Sequence, residues 1–468
     1  MDKVLCVDLD GCLVRTDLLY ESLLLLLRRN PAYLLLLPFW LLGGKAHLKA
    51  QIARRIELDP ATLPYDPRVL EAVRASRRTR VLCTAADARL AGQVAAHLGL
   101  FDEVVASDGT TNLGGREKAR VLVERYGVGG FDYIGNHHVD LHVWRHANEA
   151  WIANAPDSLA RRAAAVSRVG AHWPGERRSL LPWIKAIRLH QWLKNLLVFV
   201  PLLAAHRVLD PVAASQAVLA FLAFGLCASG AYLVNDLLDL HSDRQHPRKQ
   251  RRPFASGRLP ILHGLLAAPL LTLGGGLLAW LAAPAFVPVL LLYWLTTLGY
   301  SLWFKRIEML DVTVLAGLYT LRIIGGAVAV GVPLSFWLLA FSMFIFLSLA
   351  ILKRYTELAA LVGEGRARAS GRGYAIEDLP LLQSLGGAAG YIAVLVLALY
   401  INSSDSVALY SRPQALWLLC PLLLYWVSRA WALAHRGRMH DDPVVFAATD
   451  RVSLLVAALC GVVLLVAL

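Results

Sequence analysis

The sequence predicts a two-part fold: an N-terminal α/β domain with a doubly wound parallel sheet and a helical cap, then an all-α polytopic membrane bundle of about nine helices. Short apolar runs alternate with helical patterns over the first 170 residues. From Pro182 to Leu468, apolar stretches of about 20 residues follow one another, the length of helix that crosses a hydrocarbon core. We therefore place the domains at residues 1–170, with the cap at about 15–75, and 180–468.

The composition agrees with a chain that is largely membrane-embedded. Of 468 residues, 57% are hydrophobic and 17% are charged, against roughly 25% charged in ordinary soluble domains. This excludes disordered, collagen-like and disulfide-framework proteins. The six cysteines share no close spacing, so we expect reduced thiols and no zinc site. The N-terminus lacks a basic region followed by an apolar core, so we expect no signal peptide and a cytoplasmic first domain.

In the first domain, buried strands are predicted at residues 4–7, 80–83, 103–106 and 133–135, with helices at 89–98 and 117–126. The first strand ends in Asp8-Leu9-Asp10-Gly11, and the second ends at Thr84. Polar groups at the carboxyl ends of parallel strands mark the ligand site of such sheets.

A leucine-rich insert occupies residues 18–42, between the first two strands. It is long enough to span a membrane, but Glu21, the Arg28-Arg29 pair and Pro31 interrupt it. We expect a helical cap that lies on the membrane surface or on the second domain. Entry into the bilayer is the alternative.

Nine spans are predicted at residues 183–206, 214–240, 260–282, 285–304, 309–331, 335–356, 380–402, 413–434 and 450–468. The connections after the even-numbered spans are rich in Lys and Arg, whereas those after the odd-numbered spans hold only Arg207 and Arg412. The positive-inside rule places the basic loops in the cytoplasm of a multi-pass protein of the cell membrane. The net charge of +13 is then mainly a topology signal, and we expect no nucleic-acid partner.

The end of the second span is unusually acidic. Asn235, Asp239 and Asp243 are spaced so that they share one helix face, and Asp236 flanks it. Several acids at a span end need a compensating cation, and oxygen ligands beside a phosphorylated substrate are typical of Mg²⁺. The basic residues that follow would suit such a substrate: Arg244, Lys249 and Arg252. A hydrated helix end with Asp–Arg pairs is the alternative.

Two further polar clusters accompany the later spans. Around spans five and six, charged side chains within the membrane are functional candidates, and the cations Lys305, Arg322, Lys353 and Arg354 could bind phosphate oxygens. The whole cluster comprises Tyr300, Lys305, Asp311, Arg322, Lys353, Arg354 and Glu357. For Arg322 a structural ion pair is the alternative. Near the chain end lie Asp441-Asp442-Pro443 and Asp450-Arg451, for which an ordinary solvated loop is the alternative.

Over residues 180–468 the sequence resembles the UbiA superfamily of intramembrane prenyltransferases. The NDxxDxxxD run from Asn235 is similar to the first acidic motif of that superfamily. The Gln191–Asn195 segment, the His246–Gly257 segment and the final acidic cluster are similar to decaprenyl-phosphate phosphoribosyltransferases of actinobacterial cell-wall synthesis. Asp311 is followed at the fourth position by Leu315, which departs from the second acidic motif of aromatic prenyltransferases.

The resemblance implies transfer of a 5-phosphoribosyl group from phosphoribosyl pyrophosphate to a polyprenyl phosphate, with Asp239 and Asp243 catalytic and Mg²⁺ bound by the acidic segment. It also implies phosphate binding by Lys194, Asn195 and the basic residues named above. The alternatives are a prenyltransferase that uses a polyprenyl diphosphate and another acceptor, and a non-catalytic carrier of a phosphorylated lipid. The oligomeric state is left open.

The first domain resembles the haloacid dehalogenase (HAD) phosphatases, in which a strand ends in DxDG. The resemblance implies that Asp8 is the nucleophile and Asp10 the acid–base. It further implies phosphate binding by Thr84 and Lys118, and Mg²⁺ bound by Asp8, Asp10, Asn136 and Asp140. Asn136 stands where an Asp is usual, which removes a negative charge from the metal ligands. A domain without activity is the alternative; an active one would remove the 5-phosphate of the ribosylated lipid.

Overall fold

The computed structural model of the chain describes residues 3–175, 179–363, 373–439 and 442–468. These residues form two compact units. Unit 1 comprises Met1–Ile187 and Tyr232–Ala268, and unit 2 comprises Arg188–Ala231 and Pro269–Leu468. The acidic segment that follows Asn235 therefore belongs to unit 1, although the sequence places it in the membrane domain.

Unit 1 contains a six-stranded parallel sheet in the order β3-β2-β1-β4-β5-β6. The strands are β1 (Val4–Val7), β2 (Arg80–Asp87), β3 (Glu103–Ser107), β4 (Phe131–Gly135), β5 (Glu149–Ala155) and β6 (Arg168–Pro174). The predicted parallel sheet is confirmed, and β5 and β6 add two strands that the sequence did not predict. From β1 the chain adds β2 and β3 on one side and then β4, β5 and β6 on the other, so β1 and β4 are neighbours. Because these two strands are parallel, their carboxyl ends lie at the same edge of the sheet.

Apolar side chains cover both faces of this sheet. In β1, Leu5 and Val7 enter one buried cluster and Cys6 enters the other, as the two-residue period of a strand requires. The helices around the sheet are Leu18–Arg29, Leu37–Leu42, Lys45–Ala53, Pro67–Ala75, Ala88–Leu98, Arg116–Tyr126, Leu141–Trp144, Asp157–Ala164, Leu181–Ala186 and Leu240–Gln245.

Several of these helices begin at an aspartate. The Asp17, Asp66 and Asp87 side chains each accept a hydrogen bond from a backbone N–H in the first turn. Helix Ala88–Leu98 then ends at Gly99, whose φ of +60° is the left-handed conformation that suits glycine. Local sequence signals thus fix where the helices of unit 1 start and stop.

The apolar helices of the second half match the predicted spans in position but not in number. Six helices among the described residues are long and apolar enough to cross a membrane, or seven if Pro443–Thr449 and Arg451–Ala467, bent by 72°, form one span. Leu189–Ala204 and Phe286–Leu302 are shorter apolar segments. The six are Pro211–Leu238, Ile261–Ala282, Leu310–Ala329, Phe336–Leu361, Ile376–Ile401 and Pro413–His435. Nine crossings are therefore not confirmed.

The first predicted span is broken for a local reason. Arg188 has a φ of +52°, which ends the helix Leu181–Ala186, and the chain continues as a 3-10 segment over Leu189–Phe199. This segment packs closely on helix Leu310–Ala329, where a Cβ added at Gly326 would lie 2.1 Å from the carbonyl oxygen of Val198. In unit 2, Leu310–Ala329 also packs against Phe336–Gly363, which packs against Leu379–Ile401.

Candidate functional site

The acid that follows β1 is paired with a buried lysine. The ammonium of Lys118 donates to Asp8 Oδ1 at 2.8 Å and to the hydroxyl of Tyr133 at 2.8 Å. Lys118 comes from helix Arg116–Tyr126, and its side chain is only 4% exposed. Because a buried ammonium is costly unless paired, this geometry fixes the Asp8 carboxylate beside a positive charge.

The carboxyl end of β4 supplies the other side of the same site. Asp140 Oδ2 accepts hydrogen bonds from the backbone N–H groups of Asn136 and His137, at 3.0 and 2.9 Å, and Tyr133 donates to Asp140 Oδ1 at 3.2 Å. Tyr133 therefore connects Lys118 with Asp140. Tyr133 was not predicted from the sequence, because its role arises from its contacts with Lys118 and Asp140.

Asn136 lies directly beside the glycine of the Asp8–Gly11 run. Gly11 has a φ of +71°, and a Cβ there would lie 2.1 Å from Asn136 Nδ2. A glycine is thus required both by the backbone and by the close approach of the amide. Asp10, one residue earlier, accepts a hydrogen bond from the backbone N–H of Leu18 at 2.8 Å.

The two acids after β1 have perturbed pKa values. Burial raises the pKa of Asp8, and the charge of Asp140 adds to the rise, whereas Lys118 opposes it. Burial raises the pKa of Asp10 well above its usual range, and the charge of Asp17 adds to this. Of the two, Asp10 lacks a directly paired lysine and is the better placed to hold a proton.

These residues line one cavity of about 1130 Å³ in unit 1. Its wall includes Asp8, Asp10, Lys118, Asn136 and Asp140, so the structure brings together these five predicted site residues.

Thr84 is the predicted site residue that this cavity does not include. Its side chain is fully buried, and its hydroxyl accepts a hydrogen bond from the backbone N–H of Ala86 at 3.0 Å. This bond stabilises the backbone near the carboxyl end of β2. Lys49 lines the cavity instead and donates to the carbonyl of Ala85 at 2.6 Å. A single lysine in a cap helix carries no sequence signal, which explains why it was missed.

In the acidic segment, the two carboxylates that converge are those of Asp236 and Asp243. One guanidinium nitrogen of Arg252, Nη1, lies 3.0 Å from Asp236 Oδ1 and 2.6 Å from Asp243 Oδ2. Both carboxylates are buried. Helix Pro211–Leu238 ends just before Asp239, and a second helix, Leu240–Gln245, follows. The helix is therefore interrupted at Asp239, but the backbone N–H of Asp239 still donates to the carbonyl of Asn235 at 2.9 Å and that of Asp243 to the carbonyl of Asp239 at 2.8 Å, so a shared face stays a prediction.

The remaining residues of this segment have different surroundings. Asn235 and Asp239 are half-buried, and Lys249 is exposed. The Arg244 side chain is 5% exposed; it binds Glu21 of the leucine-rich insert through Nη2 at 2.5 Å, and its Nε donates to the carbonyl of Ala255. Glu21 thus pairs with part of this guanidinium, and phosphate binding by Arg244 stays a prediction.

Unit 2 holds a cluster of two lysines on one acid. Lys194 Nζ lies 2.7 Å from Asp442 Oδ2, and Lys353 Nζ lies 3.7 Å from the same oxygen. Burial alone would raise the pKa of Asp442, but the two ammonium groups outweigh it and lower the pKa to about 2. Two positive charges thus share one carboxylate, which leaves a net positive site. Asp441 lies outside the described residues.

A second buried cation in unit 2 is held by polar groups of the protein. Arg322 donates through Nε to Asn195 Oδ1 at 2.9 Å, through Nη2 to the hydroxyl of Tyr293 at 2.8 Å and through Nη1 to the carbonyl of Leu318 at 2.6 Å. The amide nitrogen of Asn195 is buried and has no hydrogen-bond partner among the described residues. The Asn195 amide is therefore a donor that a bound ligand could satisfy.

Arg354 is the centre of a buried network. Its guanidinium binds Asp311 through Nε, Glu357 through Nη1 and the hydroxyl of Tyr300 through Nη2. Its side chain is 2% exposed. Because all three nitrogens contact these partners, the geometry favours a structural role for Arg354, and phosphate binding by it stays a prediction. Lys305 is half-buried in the 3-10 segment Phe304–Arg306.

The residues fit a divalent cation in donor chemistry. No group of three or more His, Cys, Asp or Glu side chains is gathered tightly enough to bind a metal ion in the parts of the chain that the structure describes. However, Asp236 and Asp243 are both buried and converge on one guanidinium nitrogen of Arg252, so two carboxylates lie close together in this segment. Carboxylate and amide oxygens are the ligands that Mg²⁺ prefers.

Comparison with known proteins identifies the family. The model of the UbiA prenyltransferase family matches residues 196–449. The chain belongs to the UbiA prenyltransferase family. As a member of this transferase family with several long apolar helices, it is a multi-pass membrane protein.

The relatives of this UbiA member match different shares of the chain. Protein y4nM of Sinorhizobium fredii is 36% identical over 97% of this chain and 89% of its own length. Nodulation protein NoeC of Azorhizobium caulinodans is 38% identical over 60% of this chain and 92% of its own. Decaprenyl-phosphate phosphoribosyltransferase of Mycolicibacterium smegmatis is 31% identical over 58% of this chain and 86% of its own.

One solved structure is among those to which the chain is similar. It is a UbiA homologue from Archaeoglobus fulgidus bound to DMAPP and Mg²⁺, with a TM-score of 0.47 and 15% identity, and it covers 61% of this chain and 99% of that one.

Proposed function

We propose that this UbiA-family protein transfers a 5-phosphoribosyl group from phosphoribosyl pyrophosphate to a polyprenyl phosphate such as decaprenyl phosphate. The likeness to the Mycolicibacterium smegmatis enzyme, of which the chain covers 86%, carries this proposal. The absence of a carboxylate four residues after Asp311 supports the phosphoribosyl branch over prenyl transfer to an aromatic acceptor.

In the proposed reaction, an oxygen of the lipid phosphate forms a bond to C1 of the ribose, and the bond from C1 to pyrophosphate breaks. The lipid phosphate is already an anion, so no strong base is needed. The chain has to bring two anions together, and the lysine cluster of Lys194 and Lys353 on Asp442 offers positive charge for phosphate oxygens. Asn195 would donate its unpartnered N–H to an acceptor of the substrate.

The acidic segment would hold the metal that balances the leaving pyrophosphate. Mg²⁺, when bound, would be held by Asn235, Asp236, Asp239 and Asp243 and would supply positive charge to the pyrophosphate. Arg252 keeps Asp236 and Asp243 close together in the same segment. Lys249 and Lys305 remain proposed phosphate-binding residues.

The test uses purified full-length protein with labelled phosphoribosyl pyrophosphate and a polyprenyl phosphate. We expect a labelled lipid product from the wild type, none from Asp239→Ala, and normal yield from Ser242→Ala, an exposed residue of the same segment. Turnover retained by Asp239→Ala would contradict the role of the acidic segment. A product formed only from a polyprenyl diphosphate and another acceptor would favour the prenyltransferase, and binding without any product would favour the carrier.

We infer a second activity for unit 1, a HAD-type phosphatase that removes the 5-phosphate of the ribosylated lipid. The Lys118–Asp8 pair at the wall of the large cavity favours it. Asp8 would attack the phosphorus, the ester P–O bond would break, and Asp10 would give its proton to the leaving oxygen. Water would then attack the aspartyl phosphate, release inorganic phosphate and return Asp8 to its carboxylate.

Phosphate release by the full-length protein from the phosphoribosyl lipid tests this second activity. We expect Asp8→Asn to abolish release, and Asp157→Asn, a change at an exposed aspartate of unit 1, to leave it unchanged. Equal release by Asp8→Asn and wild type would reject the assignment. We also propose that the protein resides in the cell membrane with unit 1 in the cytoplasm, which protease accessibility in oriented membrane vesicles would examine.

A further inference from the structure

The leucine-rich insert of unit 1 ends in an exposed apolar surface. The 3-10 segment Pro31–Leu35 and the helix Leu37–Leu42 contain no buried residue. We call the exposed apolar side chains of this region the hydrophobic tip: Leu34, Leu35, Leu36, Phe39, Leu41 and Leu42. Leu42 is 86% exposed and Leu35 is 74% exposed. Such a continuous apolar surface in contact with water marks an interaction site.

The charges around the hydrophobic tip have one sign. Residues 22–56 contain six Lys and Arg and no Asp or Glu. Arg28, Arg29, Lys45 and Arg54 are exposed. An apolar surface that is flanked along the chain by basic residues is complementary to a bilayer with anionic headgroups, because the headgroups bind the cations while the acyl region takes the apolar side chains.

Aromatic side chains lie between the apolar and basic parts. The rings of Tyr33 and Trp40 are 6.0 Å apart, and the guanidinium of Arg55 lies 4.7 Å over the Trp40 ring. Both aromatic residues are half-buried, with an apolar ring and one polar group. Trp and Tyr in this arrangement are typical of the boundary between acyl chains and headgroups.

The hydrophobic tip is also part of the wall of the large cavity. Leu41 and Leu48 line that cavity together with Lys45 and Lys49, and Asp8 lies in the same wall. The phosphate site and an apolar surface are therefore connected within unit 1. A water-soluble sugar phosphate has no apolar chain that would pack against the apolar part of this wall.

We propose that the hydrophobic tip is immersed in the lipid interface, and that the cavity takes a phosphomonoester carried on a lipid, whose chain leaves past Leu41. The proposal deepens the phosphatase function inferred above and rests on it. The headgroup enters the polar part of the cavity and the chain stays in the bilayer. The basic residues near the tip, Lys45 and Lys49, face the anionic link between headgroup and chain.

The position of the tip is tested in full-length protein reconstituted into bilayers of phosphatidylcholine and phosphatidylglycerol. In a Cys460→Ser background, a spin label is placed at Leu42→Cys or at Val128→Cys, a 72% exposed apolar residue elsewhere in unit 1. We expect the label at position 42 to be accessible to oxygen and protected from a water-soluble nickel reagent, and the label at position 128 to show the reverse. Equal aqueous accessibility at both positions would overturn the proposal.

The substrate class is tested by hydrolysis of two compounds, p-nitrophenyl phosphate in solution and the phosphoribosyl lipid in bilayers. We expect Leu35→Glu with Leu42→Glu to lower turnover of the lipid substrate by about tenfold and to spare the soluble one, because charges at the tip resist immersion. Val128→Glu should change neither. Wild-type protein that hydrolyses neither compound would refute the phosphatase function, whereas undiminished turnover of the lipid substrate by the tip variant would refute this proposal alone.

Discussion

Replacement of Lys118 by methionine tests how far unit 1 depends on its buried ion pair. The change keeps the length of the side chain but removes the charge 2.8 Å from Asp8. At this distance and an effective dielectric constant of about 20, the attraction between the charges is about 6 kcal/mol. Desolvation offsets part of it, so we expect a net loss of about 3 kcal/mol, as for other buried pairs that lose one partner.

Hydrogen exchange of the full-length protein measures this loss locally. In Lys118→Met, amide protection in β1 and β4 should fall by about two orders of magnitude at pH 7, since 1.4 kcal/mol corresponds to about tenfold. Arg120→Met is the matched control on the same helix, because Arg120 pairs with Glu117 and Glu124 on the exposed surface, where ion pairs contribute little.

The pH dependence of the Lys118→Met variant has a definite sign. Burial raises the pKa of Asp8 in the folded protein, and the loss of Lys118 removes the group that opposes this rise. Ionised Asp8 therefore destabilises the variant above its folded-state pKa, and the penalty disappears as pH falls toward the unfolded value of about 3.9. The stability deficit of the variant should therefore shrink as the pH is lowered from 7 toward the unfolded-state pKa of about 3.9. Protection equal to that of Arg120→Met at pH 7 would refute the reasoning.

Three further changes should affect stability, each measured by thermal unfolding in detergent. Gly326→Ala should destabilise unit 2 because its Cβ would lie 2.1 Å from a backbone carbonyl oxygen, whereas Gly317→Ala in the same helix, with open space around it, should not. Arg354→Met should cost about 3–5 kcal/mol, since it leaves buried Asp311 without its counter-charge; an unchanged melting temperature would contradict this. Asp66→Asn should destabilise at pH 7 but not at acid pH: burial opposes ionisation, yet arginine partners lower the Asp66 pKa, so its contribution is lost as pH falls through the lowered value.

The sequence predicted the first four strands because each is a short apolar run with a polar residue at its end. The two edge-side strands were missed for physical reasons. β5 has a short apolar run, Ala150–Ala153, between the polar residues Glu149 and Asn154, and β6 contains exposed Arg168 and Val169 with only partly buried aromatics. β5 is stabilised by pairing with β4, and β6 by pairing with β5. These contacts join residues that are distant in sequence, so the local sequence does not reveal them.

The candidate site was predictable where topology alone places residues. Asp8 and Asn136 follow adjacent parallel strands, so they had to open on one edge. The partners of buried charges were not predictable, because each depends on a contact distant in sequence. Lys118 with Tyr133 in unit 1 and Lys353 with Asp442 in unit 2 illustrate this.

The contact between Glu21 and Arg244 limits how this protein can be divided. Unit 1 is assembled from two stretches of chain, and a truncated product that stops at Ile187 would keep Glu21 while it lost Arg244. The Glu21 carboxylate, whose side chain is 3% exposed, would then lose the cation that it binds and keep the hydroxyl of Thr16 as a hydrogen-bond donor. A chain cut after Ile187 should therefore contain a less stable unit 1, and Glu21→Gln should recover part of the loss.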